Sequence, residues 1–305
     1  MLLSRVADGL YWIARYLERA EHTARLIGVG LDLGLGRAGT HAAADRLHAS
    51  LGLSDTMVAL FDLDHRNSVA ACVTAARENG RQVRDEISSD MWEQLNALFL
   101  GVRQFAVNTD RDARPGTLCR SVISGIHLFQ GITDATMGHA EGWQYLRAGR
   151  FIERAGATAG LLDRFVSDGE TQPDGRLDSV DWVALLRACS ALEAYCRHYT
   201  ADVRPERVTE FLLLSGDFPR SVRFAAAQLE SALREMARAS GRGAGGRAER
   251  LVGRLHASLD YGQVDEILSD DPHGYLAGIG RQCALIHTAV YQSYVTYSIE
   301  SAIPA

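Results

Sequence analysis

The sequence predicts an all-α protein, and three observations carry that prediction. Apolar residues recur at intervals of three and four almost throughout the 305 residues, which is the spacing of a helix face rather than of a strand. No run of β-branched residues bounded by turns stands out as a sheet. One stretch, RYLERAEHTARLI at 15–27, returns as RFIERAGATAGLL at 150–162, so the chain writes nearly the same helix twice. The expected architecture is a single large helical bundle of about 10–12 helices with an internal pseudo-repeat. It spans 1–305 as one domain, with lobes 1–140 and 141–305 centred on the two copies.

The first helix is predicted over 4–31. Leu10, Ile13, Tyr16, Leu17, Ala20, Ala24, Ile27 and Leu31 share one broad apolar face, and Asp8, Arg15, Glu18, Arg19 and His22 lie opposite at touching spacings. After the break GLGRAGT at 34–40 come short helices at 44–52 and 54–63. Asn67 is the candidate cap for 67–87, and Ser89 or Asp90, with Glu93 behind it, for 89–108. NTDRDARPGT at 108–117 separates these from 117–138 and from 141–166, which holds the second copy. SDGETQPDGRLDS at 167–179 leads to a helix over 179–200 capped by Ser179, followed by 205–214. SGD at 215–217 offers Asp217 as the cap of 218–240, SGRGAGG at 240–246 precedes 246–260, and SDDPHG at 269–274 opens a last helix over 273–300. None of these breaks is long enough for a domain linker.

Composition narrows the functions. The net charge of −6, with acids and bases interspersed, gives no electrostatic footprint for nucleic acid or an anionic membrane. No apolar stretch approaches the length of a membrane span, and Arg5, Asp8 and Arg15 interrupt the N-terminus before a signal-peptide core can form, so the expected location is the cytoplasm. Cys72, Cys119, Cys189, Cys196 and Cys283 are scattered and never spaced as CxxC, and read as reduced thiols. All 32 basic side chains are arginine, which excludes Schiff-base chemistry and a lysine base. A homo-oligomer is compatible with all of this.

The second copy shows what the first helix is for. Around Arg150, Glu153 and Arg154 the charged stripe contains Leu146, Ala157 and Leu161, so the charges there are an island. Gly149, Gly156 and Gly160 form a separate strip, each costing about 1 kcal/mol against alanine in a helix, which implies a close approach to that backbone. The triplets are therefore expected to lie inside the bundle, paired with one another or holding a ligand. In the ligand reading Glu18 and Glu153 are the catalytic candidates, with raised pKa values suited to proton transfer. Arg15, Arg19, Arg150 and Arg154 are the candidate binders of a carboxylate or phosphate. In the alternative reading the same residues are interlocking salt bridges that set helix register.

Further residues join as support. Arg220, read as lying in the first turn of its helix where the dipole disfavours a cation, needs an anion, either Asp217 or a substrate. His22, Arg84, Asp85 and Asp134 are supporting candidates. A dinuclear metal site wants Glu-x-x-His on paired helices; Glu18 and His22 are four apart and the counterpart of His22 is Ala157, so no metal is predicted, and no cofactor. No phosphate-binding loop, dinucleotide fingerprint, GxSxG or HExxH appears.

LSRVADGLYWIARYLERAEHTARLI, ARENGRQVRDEISSDMWEQLN, LFQGITDATMGHAEGWQYLRAGRFIERAGATAGLLD and FLLLSGDFPRSVRF together resemble the bacterial alpha-E family, a helical family named for its Glu-Arg motif. The resemblance runs from Leu3 to about Tyr297 and places the motif on Glu18-Arg19 and Glu153-Arg154. It implies association with a circularly permuted ATP-grasp ligase and a transglutaminase-like protein in peptide synthesis or peptide modification, and attaches no reaction to the motif. Three functions are thus expected in turn: a binding component of such a system, an enzyme using Glu/Arg acid–base chemistry on an amide or amine, or a purely structural bundle.

Overall fold

The computed structural model describes residues 2–34, 41–52, 55–107, 115–171, 177–241 and 245–296. Its helices are α1 (Ser4–Gly34), α2 (His41–Ser50), α3 (Thr56–Phe61), α4 (Val69–Gln82), α5 (Ser89–Val107), α6 (Pro115–Thr136), α7 (Glu141–Thr171), α8 (Ser179–Ala188), α9 (Leu192–Tyr199), α10 (Pro205–Leu214), α11 (Val222–Ala239), α12 (Arg247–Asp260), α13 (Val264–Ser269) and α14 (Pro272–Val290), followed by a π-helical turn, Tyr291–Val295. No strand occurs among the described residues, so the all-α class holds.

α1 and α7, 31 residues each, form the axis of the bundle. α1 buries Ala7, Leu10, Leu17, Glu18, Glu21 and Arg25 on different sides, as a helix surrounded by others must. The two helices run parallel, because their contacts advance together. The Leu2 amide donates to Glu141, Leu10 lies against Gly142, Tyr11 against Gly149, and Arg15 and Glu18 reach Glu153 and Arg154.

The repeat extends well beyond this pair. α1 packs on α4 and α6, and α7 packs on α11 and α14; α5 then bridges α4 and α6 as α12 bridges α11 and α14. The turns into α4 and α11 match atom for atom. Thr23 donates to the Asn67 carbonyl at 3.2 Å and Thr158 to the Arg220 carbonyl at 3.1 Å. Ser68 and Ser221, both fully buried, accept from the Ala71 and Phe224 amides at 3.1 and 3.0 Å and donate to the carbonyl six residues earlier, Asp62 and Ser215. The chain is a pseudo-twofold duplication about the line between α1 and α7.

Several boundaries differ from the sequence reading, each for a local reason. The caps are Ser68, Ser221 and Asp178, where Asn67, Asp217 and Ser179 were expected. The stretch 179–200 is broken by Ser190 at φ 51°, a left-handed residue that follows the end of α8 and whose hydroxyl oxygen accepts from Arg25. α4 ends at Gln82, and the six-residue α13 has too little length for a periodic signal. The last helix passes into a π turn at Tyr291. Of the expected breaks at 34–40, 108–117, 167–179 and 240–246, residues 35–40, 108–114, 172–176 and 242–244 lie outside the described residues, as do 297–300 of the last helix. α6 already starts at Pro115, and α7 runs on to Thr171, beyond its expected end at 166.

Candidate functional site

The two Glu-Arg motifs meet, and their pairing is crossed. Arg154 binds Glu18 with two parallel bonds, Nε to Oε1 at 2.6 Å and Nη2 to Oε2 at 2.8 Å. Arg19 binds Glu153 the same way, at 2.7 and 3.2 Å. These pairs exchange under the pseudo-twofold and lie on opposite flanks of the α1–α7 contact. Two-point guanidinium–carboxylate pairs fix geometry as well as charge, so the motif locks the two central helices in register. The glycine strip contributes here at one position: a Cβ on Gly149 would sit 2.2 Å from the Tyr11 carbonyl oxygen, which is the close approach the sequence predicts.

Around this shared frame the halves differ. On the Glu18 flank the space is filled. Glu21, which sequence reasoning passed over, is fully buried and accepts from Arg25, from Arg220 and, at 2.7 Å, from His127. Burial alone would raise its pKa, but His127, Arg220 and Arg25 outweigh burial and hold it well below the usual carboxylate range. Arg220 also reaches Glu18 at 3.4 Å. Its partners are therefore Glu18 and Glu21, and Asp217 is not needed. Arg220 precedes the cap Ser221 and so stands outside the first turn of α11, a correction to its expected place in the helix.

On the Glu153 flank the same space is hollow. In the repeat, Gly156 stands where α1 has Glu21, Ala157 where it has His22, Gly160 where it has Arg25, and Asn67 takes the place of Arg220. Among the described residues nothing lies within 4 Å of a Cβ built on Gly160, and only Cys283, at 3.9 Å, within that distance of one on Gly156. The close approach expected at these two glycines is absent. They instead help to line a cavity of about 780 Å³ whose walls include Arg19, His22, Thr23, Arg66, Asn67 and Glu153.

The chemistry of that cavity follows from its walls. Burial would raise Glu153, but Arg15 at 2.7 Å and Arg19 outweigh it and keep the carboxyl below its ordinary range. This reverses the raised pKa expected from desolvation: a carboxylate clamped by two guanidiniums is a fixed anion and a poor proton donor at neutral pH. His22 is pushed down to about 4 by burial and by Arg220, so its imidazole is neutral. Arg66 is exposed and has no ion pair or hydrogen bond to its side chain among the described residues. The cavity thus offers the free Arg66 guanidinium, the neutral His22 imidazole and two carboxylates, the clamped Glu153 and the exposed Asp64 beside Arg66, which suits a ligand carrying a carboxylate for Arg66 together with hydrogen-bond donors.

The remaining candidates fall elsewhere. Glu18 is 2% exposed, fully paired and outside the cavity. Arg150 is absent from both carboxylates and faces a different pocket, where Asp134 is found too. Arg84 donates to the Ile87 carbonyl and to Ser89 at 3.4 and 3.3 Å and lies over Trp92, while Asp85 is exposed in the turn after α4; neither lines the cavity. No group of three His, Cys, Asp or Glu side chains among the described residues is placed to hold a metal ion. No described helix is long and apolar enough to cross a membrane.

Comparison with known sequences places this geometry in a family. A family model described as a predicted alpha-helical domain with a conserved ER motif, Alpha-E, matches residues 2–295. Uncharacterised proteins of Mycobacterium bovis and of Mycobacterium tuberculosis are each 24% identical over 321 residues, covering 94% of this chain. The chain spans only 35% of the length of these relatives. No solved structure matches it.

Proposed function

Because the chain belongs to the Alpha-E family, we propose that it is the binding component of a bacterial peptide-synthesis or peptide-modification system. In this reading it is a cytoplasmic helical domain that holds a carboxylate-bearing, peptide-like substrate for a circularly permuted ATP-grasp ligase. One observation carries the reading: the duplicated frame is plugged by Glu21, Arg25 and Arg220 on one flank and hollowed by Gly156 and Gly160 on the other. The hollow has glycine where Glu21 stands opposite, and it gains the cation Arg66, whose counterpart is Pro219. A substrate carboxylate takes Arg66, its amides take His22 and Asn67, and the Arg15–Arg19–Glu153 clamp holds the floor rigid. Glu153 serves as a positioning anion and Glu18 as a register lock. The length of the mycobacterial relatives supports work beside other protein sequence, since there the matching segment is about a third of a longer chain.

The test is calorimetric titration with acetyl-Ala-Ala-Glu as the probe. Gly160→Arg restores in the hollow the side chain that α1 carries at this position, and is expected to abolish binding without lowering the melting temperature. Arg66→Ala should weaken binding at least tenfold. Binding that survives both substitutions removes the cavity from consideration, and failure to co-purify with the ATP-grasp ligase of the same genome removes the partner. Turnover of an amide substrate by the isolated domain, lost in Glu153→Gln, would replace this reading with an enzymatic one.

A further inference from the structure

A second hollow lies between α6 and α7, and the repeat again supplies the comparison. On α1, Tyr11, Trp12 and Arg15 meet His287 and Tyr291 in a packed aromatic cluster. Tyr11 stacks on His287 with centroids 5.7 Å apart, Trp12 donates to the Tyr291 hydroxyl, and Arg15 lies 4.6 Å over Trp12. The corresponding positions of α7 are Leu146, Arg147 and Arg150. Among the described residues no such cluster fills their side. They line a cavity of about 330 Å³ with Trp143 and with Gln130, Thr133 and Asp134 of α6.

Arg150 is the cation that the duplication leaves over. Its counterpart Arg15 binds Glu153, but Glu18, the acid that the same symmetry would give Arg150, is taken by Arg154 and Arg220. Arg150 is partly buried and its guanidinium lies 6.0 Å from the Phe151 ring centroid, yet no hydrogen bond or ion pair reaches it among the described residues. Burial and the neighbouring Arg154 push its pKa down to about 10, which leaves it charged at neutral pH. A desolvated, unpaired guanidinium is costly. The charged groups facing it are Arg154 on its own helix and, across the pocket, Asp134, with Glu18 and Glu21 further behind. Arg147 is held against the wall over Trp143 at 4.7 Å and by Gln144 and Gln228 at 3.0 and 2.6 Å. Asp134 is largely exposed, with His139 at 3.6 Å as its neighbour.

We propose that this pocket binds a free α-amino acid. Its carboxylate takes the open fork of Arg150, its ammonium faces Asp134, and its side chain lies against Leu146 and Trp143. A planar guanidinium matches a carboxylate in two-point geometry, and a cavity of about 330 Å³ has room for an amino acid. The proposal uses none of the residues of the larger cavity and stands apart from its ligand.

Calorimetry of the full chain against the twenty protein amino acids, each at millimolar concentration, tests it. The best binder is then compared with its N-acetyl form, which lacks the ammonium, and its amide, which lacks the carboxylate. Both analogues are expected to bind at least tenfold more weakly. Arg150→Leu should abolish binding and hold or raise the melting temperature of the free protein, because it removes an unpaired cation. Asp134→Asn should bring the parent amino acid down to the level of its N-acetyl form. Binding by none of the twenty, equal binding of an amino acid and its two analogues, or a lower melting temperature in Arg150→Leu would each overturn the proposal.

Discussion

The two glutamates of the repeated motif should differ in what they contribute to stability, although the sequence writes them alike. Glu18 is 2% exposed and its partner Arg154 8%, and neither lines the cavity beside Glu153 or the pocket beside Arg150. Glu18→Gln leaves the Arg154 and Arg220 guanidiniums facing a neutral amide in a dry site. Breaking a buried pair from one side costs about 3–5 kcal/mol. At an unfolding entropy of about 2.1 cal/mol/K per residue, 305 residues make each kcal/mol worth roughly 1.5 °C, so the melting temperature should fall by about 5–8 °C. Glu153 is 12% exposed, and Arg19, at 20%, stands on the cavity wall. Water entering the cavity can solvate the guanidiniums that Glu153→Gln releases, so that substitution should cost only about 1–2 kcal/mol. Urea denaturation of both variants at neutral pH, compared at equal m-value, reads the difference directly. A Glu153→Gln cost equal to or above that of Glu18→Gln would mean that the hollow flank is as dry as the filled one, and the argument for a solvated site there would fail.

Other outcomes follow from single features. Gly149→Ala should destabilise strongly, because its Cβ meets the Tyr11 carbonyl, whereas Gly160→Ala should stabilise by about 0.5–1 kcal/mol by removing a flexible residue from an open helix face; paired thermal melts give opposite signs if the geometry holds. His22 and His287 are both lowered from 6.5 to about 4, His22 by burial and Arg220, His287 by burial and Arg15. Their contribution is complete above pH 6.5 and is lost as pH falls through 4, since the unfolded chain binds those protons first. His22→Asn should therefore flatten the decline in urea midpoint between pH 6.5 and 4. Burial pushes Cys72, Cys119 and Cys283 up to about 12 and Cys189 to about 11, so a thiol reagent at pH 8 should label at most Cys196 in the native protein and all five after unfolding.

The central pair was legible because amphipathic periodicity and a near-verbatim repeat are both local signals. So was the inward placement of the charges, since Leu146, Ala157 and Leu161 surround Arg150, Glu153 and Arg154 in the second copy. The turns were misread where two cap-forming residues stood side by side: Asn67 precedes Ser68, and only the fold shows Ser68 buried with its hydroxyl tied to Asp62. The wider duplication was hidden by spacing, since Thr23 meets a carbonyl 44 residues on and Thr158 one 62 residues on. Glu21 and Arg25 carry no mark of their own, because an acid and a base four apart in a polar stretch of helix read as an ordinary exposed pair. The signal that could have found them was their replacement by Gly156 and Gly160 in the second copy. Arg66 carried no local mark at all; it becomes a site residue only because the turn before α4 folds over α1.

That replacement also explains how a duplicated core can open on one flank without collapsing electrostatically. Changing Glu21 and Arg25 to their glycine counterparts deletes one negative and one positive charge together, so the hollow flank loses volume and keeps its charge balance. Exchanging Arg220 for its counterpart Asn67 then removes the cation that would otherwise close the gap over Glu153. Glu153 does not become an orphan, because Arg15 takes the second place at its carboxylate, and the cost of that arrangement is displaced to Arg150, whose own acid is occupied. Two glycines in a helix interior cost roughly 2 kcal/mol against alanine with no packing in return. An open, solvated cavity is the consequence that sets this flank apart from its filled counterpart, and it is on this flank that substitution should alter binding before it alters folding.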